Sequence, residues 1–153
     1  MNLRSRFEKL AAPVRIHVLF RERKYRLGET VEMAVEIVTR DRLRIREARA
    51  TLVCEPQGQP TRDLRFAPED GPWTGQSYAH SQLAFSEDET LRAGGAQSYS
   101  VDLQIENKPP AGGFEDARWR VVLVVETVDH RTYYVQRGIR LIPTWKEEAD
   151  LRR

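Results

Sequence analysis

Four arginines at alternate positions, Arg40, Arg42, Arg44 and Arg46, are the densest concentration of chemistry in the chain. Asp41, Leu43 and Ile45 stand between them, and Glu47 follows. In an extended strand alternate side chains project from one face, about 6.6–6.8 Å apart. Guanidinium is a planar fork of donors, so such a row suits bidentate contact with phosphate or carboxylate oxygens. The ladder therefore points to an anion site, for a phosphate, an acidic peptide or another polyanion. Arg21, Arg23, Lys24 and Arg26 extend the patch if the adjacent strands pair. The competing reading is a solvated face, neutralised by Glu32 and Glu36 across the sheet.

The remaining reactive residue types do not converge on a catalytic pattern. His17 shares strand parity with Arg15 and Arg21, on a polar face. His80 has the parity of Tyr78 and Gln82, and His130 falls in a hairpin turn. No His-x-His, His-Glu-x-x-His or Gly-x-Ser-x-Gly spacing occurs, and no phosphate-binding glycine loop. Cys54 reads as a small, inert strand-end residue. Glu87-Asp88-Glu89 lacks the alternating acidic spacing that wraps calcium, and reads as a solvated turn. No metal, no other cofactor and no enzymatic activity are expected. Trp73, Tyr78, Trp119, Tyr133, Tyr134 and Trp145 offer a second kind of site, a stacking platform for sugars. Trp119 has core parity, and Tyr133 and Tyr134 point to opposite faces. Trp73, between Pro72 and Gly75, is the exposed aromatic candidate.

A chain of 153 residues makes one domain and can bury about two thirds of its unfolded surface. Its single cysteine rules out an intrachain disulfide. Net charge is only +2, so no nucleic-acid partner is expected. The first residues lack the apolar core of a signal peptide, and no apolar run reaches membrane-spanning length. The expected location is the cytoplasm.

The elements that must hold these residues are strands. Two segments place a glycine turn before an alternating run: Tyr25 to Val38, through Gly28, and Leu91 to Ile105, through Gly94. Val14 to Phe20 forms a first strand. Val31, Met33, Val35 and Ile37 face the core of the next, with Glu32 and Glu36 outside. Leu43 to Cys54 changes parity between Ile45 and Ala48, the trace of a bulge. Pro56 to Gln76 is a long polar loop, with a short strand over Arg62 to Phe66. Ser77 to Phe85 turns Ala79, Leu83 and Phe85 inward, and Ser86 to Glu89 makes an acidic turn. Tyr99, Val101, Leu103 and Ile105 line a further strand. Trp119, Val121, Leu123 and Val125 line the most apolar one, Arg118 to Val128, where Val122 and Val124 also make the opposite face apolar. Asp129 to Thr132 joins it to a last strand ending at Ile142. Leu3, Phe7 and Leu10 recur at helical spacing, so residues 1–12 predict a short amphipathic helix covering an outer sheet face. Residues 144–153 form a charged tail. The pattern predicts an all-β, antiparallel two-sheet sandwich over residues 13–143.

In order and spacing the chain resembles the arrestin N-terminal-like sandwich. The resemblance rests on Tyr25-x-x-Gly28-Glu29-x-Val31, Leu43 to Leu52, Leu91-x-Ala93-Gly94, Tyr99-x-Val101-x-Leu103-x-Ile105, Pro109-Pro110 and Arg118-Trp119. Glu106 stands where that family commonly has proline, and the chain has length for one sandwich where arrestins join two. Small bacterial proteins of the sporulation-control type look similar. The resemblance implies a non-enzymatic protein-interaction or scaffold module and says little about which partner, so the arginine ladder remains a separate candidate place for an acidic or phosphorylated segment. It leaves open self-association through a sheet edge or the N-terminal helix. A carbohydrate- or small-ligand-binding sandwich is the alternative.

Overall fold

The structure, a computed structural model, describes residues 13–55, 77–110 and 117–142. The helix expected over residues 1–12, the strand over Arg62 to Phe66, Trp73 and the tail lie outside the described residues. Eight strands follow in order: β1 (Val14–Phe20), β2 (Lys24–Arg26), β3 (Thr30–Thr39), β4 (Leu43–Glu55), β5 (Tyr78–Leu91), β6 (Ala96–Gln104), β7 (Arg118–Thr127) and β8 (Thr132–Ile142). They form a three-stranded sheet of order β1-β3-β6 and a five-stranded sheet of order β2-β8-β7-β4-β5. All described pairings are antiparallel except β2 with β8, which is parallel.

The alternation read in β3 is realised without a fault. Val31, Met33, Val35 and Ile37 are buried, and Glu32 and Glu36 are exposed. They meet Val101 and Leu103 of β6 and, across the sandwich, Leu52, Trp119, Val121, Leu123 and Val125 in one core. Each such aliphatic side chain contributes roughly 1.5–3 kcal/mol when fully buried. Gly28 at φ 85° turns the chain into β3, and its N–H donates to the Ile105 carbonyl at 2.8 Å. Gly94 at φ 71° does the same before β6, donating to the Arg40 carbonyl at 3.0 Å. Both turns need the left-handed backbone that glycine adopts without a Cβ penalty.

The parity change in β4 is a bulge. Register shifts fall between Ile45 and Glu47 against β7, and between Ala48 and Arg49 against β5. Ile45, Ala48, Ala50, Leu52 and Cys54 consequently all face the core. The outer side of the same strand pair is apolar as well: Val53, Val122 and Val124 form a second buried cluster.

β5 departs from expectation. It continues through Ser86, Glu87, Asp88 and Glu89 as one 14-residue strand, where a turn was expected. Ala79 and Leu83, expected inside, are exposed, whereas His80 and Ser81 are buried. The reason is irregular pairing with β4: the register skips His80 and Phe85, and each skipped residue resets the alternation. His80 lies edge-on to Trp119, with ring centroids 5.2 Å apart. Its Nε2 donates to the Lys108 carbonyl at 2.8 Å, so Nδ1 accepts from Ser81 Oγ, also at 2.8 Å. Ser81 Oγ in turn accepts the Glu106 N–H at 2.9 Å. The buried histidine thus fastens the chain that leaves β6. Tyr99 Oη donates to Glu89 at 2.7 Å and joins β6 to β5 along one side of the sandwich.

Candidate anion-binding site

The arginine ladder does not survive as a single row. Arg40 sits in the β3–β4 turn, where its N–H donates to the Pro13 carbonyl at 2.9 Å and its guanidinium lies 3.8 Å from Asp41. Arg42 and Arg44 are exposed and, among the described residues, make no side-chain hydrogen bond or ion pair. Arg46 is engaged: its Nη2 donates to Glu126 Oε2 at 2.5 Å.

Glu126 also accepts from Arg49 at 2.6 Å, and Arg49 lies 3.3 Å from Glu47. The side chains of Arg49 and Glu126 are only 12% and 11% exposed. Burial pushes the Glu126 carboxyl up, but the hydrogen bonds from Arg46 and Arg49 more than offset it and hold the pKa below the ordinary value. The bond to Glu126 in turn raises the pKa of Arg46. This is a neutralised cluster on the outer face of the five-stranded sheet. Arg49 was not singled out from sequence. The bulge at Glu47 puts it on the same face as Arg46, and the parity change was the available signal.

The expected neutralisation by Glu32 and Glu36 is wrong. Those residues lie on β3, in the other sheet, and the counter-charge comes from Glu126 on β7. Arg21, Arg23, Lys24 and Arg26 do not extend the ladder either. Lys24 and Arg26 lie on β2, and Arg21 and Arg23 just before it; β2 is the edge beyond β8, separated from β4 by β8 and β7. Arg23 instead pairs with Glu29 at 2.7 Å and lies over the Tyr25 ring.

What the fold does bring together is the β3–β4 turn and the β7–β8 turn. The Val128 N–H donates to the Arg44 carbonyl at 3.0 Å, and the Thr127 N–H to the Arg131 carbonyl at 2.9 Å. His130 closes the second turn at φ 65°, and Thr127 Oγ1 donates to Asp129. Between the two turns lies a cavity of about 300 Å³. Three arginines, Arg42, Arg44 and Arg131, and two acidic residues, Asp41 and Asp129, line it together with the apolar Leu43, Val128 and Tyr133. Arg131 is already committed. Contact with Tyr133, and then with Asp129 at 3.3 Å, raises its pKa. Arg42 and Arg44 are the two guanidiniums left to a ligand. Tyr133 lines this cavity and Tyr134 points to the opposite face, half exposed, as their adjacent positions require.

The three histidines occupy three separate places: His17 on the outer face of the three-stranded sheet, His80 in the interior, His130 in the β7–β8 turn. Cys54 is fully buried, and burial pushes its thiol pKa up. Among the described residues no group of three or more His, Cys, Asp or Glu is placed to hold a metal ion. No described helix is long and apolar enough to cross a membrane.

The sandwich is similar to Spo0M, a sporulation control protein from Bacillus subtilis, with a TM-score of 0.64 at 11% identity. The fold is an arrestin-like β-sandwich. The match covers 85% of this chain and 49% of the Spo0M chain, so the protein spans about half the length of that neighbour. Two further likenesses are distant. The alkylpurine DNA glycosylase AlkC of Pseudomonas fluorescens has a TM-score of 0.41 and 15% identity, over 86% of this chain and 31% of that one. A DUF4466 family protein of Parabacteroides merdae has a TM-score of 0.41 and 10% identity, over 84% and 45%. Likeness at that level carries nothing about activity. No protein-family model matches the chain, and no curated protein sequence matches it.

Proposed function

We propose that this protein is a non-enzymatic, cytoplasmic protein-interaction module whose partner offers an acidic or phosphorylated side chain to Arg42 and Arg44. One observation carries the reading: two exposed guanidiniums without a partner among the described residues stand at a half-apolar cavity of about 300 Å³. Arg42 stands just before β4 and Arg44 is its second residue, so two long side chains two positions apart can reach one phosphate, which accepts from both forks. Leu43, Val128 and Tyr133 supply apolar surface for a neighbouring side chain of the same segment. Arg40 and Arg46 take no direct part, because Asp41 and Glu126 hold them. The scattered histidines and the buried, inert Cys54 favour binding over catalysis.

The test is fluorescence anisotropy with a library of phosphorylated and acidic peptides. Binding should weaken as salt rises, since exposed charges are screened over about 8–10 Å at ordinary ionic strength. Arg42→Glu with Arg44→Glu should abolish it without changing the far-UV spectrum. The lysine pair should weaken it partly, keeping charge but losing the fork. Full binding by the double glutamate variant would refute the proposal.

A further inference from the structure

The four sheet edges differ in the features that discourage pairing with another chain. β2 is three residues long. β5 carries Glu87, Asp88 and Glu89, two register breaks and a left-handed Asp88 at φ 49°. β6 carries the acidic Asp102, and the Tyr99–Glu89 bond ties it to β5 at one side chain. β1 has the fewest, a single charged side chain at Arg15. Val14–Phe20 runs in unbroken register along β3, with no proline, lysine or acidic residue. Short length, charge, bulges and covering elements are how natural edges avoid association.

The free backbone groups of β1 follow from one hydrogen bond. The Pro13 carbonyl accepts the Arg40 N–H, so Pro13 directs its backbone towards β3. Along an antiparallel strand this direction alternates from residue to residue. Arg15, His17 and Leu19 therefore bond to β3, and Val14, Ile16, Val18 and Phe20 turn their N–H and C=O groups to the open edge. Among the described residues β1 is hydrogen-bonded to β3 alone.

We propose that β1 pairs antiparallel with β1 of a second copy of this chain, joining two three-stranded sheets into one of six strands. Full overlap of the strands puts the two-fold axis at His17. Val14 then faces the partner's Phe20, and Ile16 faces the partner's Val18. These are the residues whose backbone groups turn outward, so the register and the hydrogen-bonding pattern agree, and the pairs exchange about eight bonds. The same register makes the inner face continuous and apolar, since Val14, Ile16 and Val18 are already buried in each copy. On the outer face Arg15 stands against the partner's Leu19. Leu19 is 75% exposed, and the aliphatic stem of an arginine covers such a side chain. No like charges of Asp, Glu, Lys or Arg fall directly opposite one another. One step beyond the strand, Pro13 comes opposite the partner's Arg21. Pro13 lines the cavity at Arg42 and Arg44. Each copy thus adds a guanidinium to the rim of the other's anion site, and dimerisation itself is independent of whether that site binds an anion.

Sedimentation velocity on the full chain, from low to high micromolar, reads the proposal directly. A dimer fraction rising with concentration is expected. Exposed Leu19→Lys should give a monomer with an unchanged far-UV spectrum. His17→Cys should form a disulfide-linked dimer under mild oxidation, because the non-hydrogen-bonded pair at the axis holds Cα atoms about 4.5 Å apart. Ser98→Cys, exposed on β6, should not, and Cys54 is buried and does not compete. The double variant Arg42→Glu, Arg44→Glu should remain dimeric, which separates this proposal from the anion site. A monomer at every concentration, a dimer indifferent to Leu19→Lys, or cross-linking of His17→Cys no faster than Ser98→Cys would overturn it. A monomer that takes a foreign extended segment along β1 would overturn it equally.

Discussion

Replacing Glu126 with glutamine tests whether the outer face of the five-stranded sheet is held by charge. The substitution keeps the shape and removes the negative charge that faces two guanidiniums, at 2.5 Å and 2.6 Å. Arg49 is 12% exposed, so it would remain largely buried, keeping Glu47, 3.3 Å away, as a counter-charge. Breaking one partner of a buried pair costs about 3–5 kcal/mol. Glu47 retains part of that compensation and Arg46 can relax into water, which lowers the expected loss to about 2–4 kcal/mol. For a domain of this size that corresponds to a fall in Tm of about 5–15 °C. Urea unfolding at pH 7 should show the loss in the midpoint with the slope unchanged. The effect should also depend on pH, in a known direction. Glu126 has a folded pKa below its unfolded value, so its contribution is present above about pH 4.3 and disappears as pH falls through the folded value. The gap between wild type and variant should close in acid. A loss below about 1 kcal/mol, the range of exposed ion pairs, or a gap that does not change with pH, would refute the reasoning.

Val35→Asp should cost roughly 3 kcal/mol or more, because it places an unpaired carboxylate at a position 2% exposed; a urea midpoint near that of wild type would contradict the sandwich core. His80→Leu should cost about 1–3 kcal/mol by stranding its hydrogen-bond partners, and should speed hydrogen exchange at the Glu106 amide, which Ser81 Oγ otherwise holds. Cys54 should resist alkylation in the native protein and react fully in denaturant, since burial both covers the thiol and raises its pKa.

Much of the fold was legible in the order of residues. β3 and β6 alternate so regularly, and β7 is so apolar, that Val31 to Ile37, Tyr99 to Ile105 and Trp119 to Val125 were assigned to the core without reference to one another. The β4 bulge left its mark in the change of parity between Ile45 and Ala48. β5 was harder, because His80 and Phe85 are skipped in its pairing and each slip exchanges inner for outer positions downstream. An alternation rule applied across such slips assigns Ala79 and Leu83 to the wrong face. The acidic run Ser86 to Glu89 read as a turn on composition, yet pairing with Ala48, Glu47 and Ile45 of β4 carries the strand through it.

The site shows where local pattern stops. The sequence by itself determined that Arg44 and Arg46 share the outward side of their strand, since backbone geometry makes that alternation local. Only the tertiary structure decided which arginines are neutralised. Glu126 lies 80 positions from Arg46 and 77 from Arg49, and it reaches both because β7 pairs with β4. Glu32 and Glu36, far nearer in sequence, went to the other sheet. The cavity that leaves Arg42 and Arg44 to a ligand is likewise made by two turns separated by most of the chain. Strand order depends on contacts between distant segments, and no local periodicity encodes it.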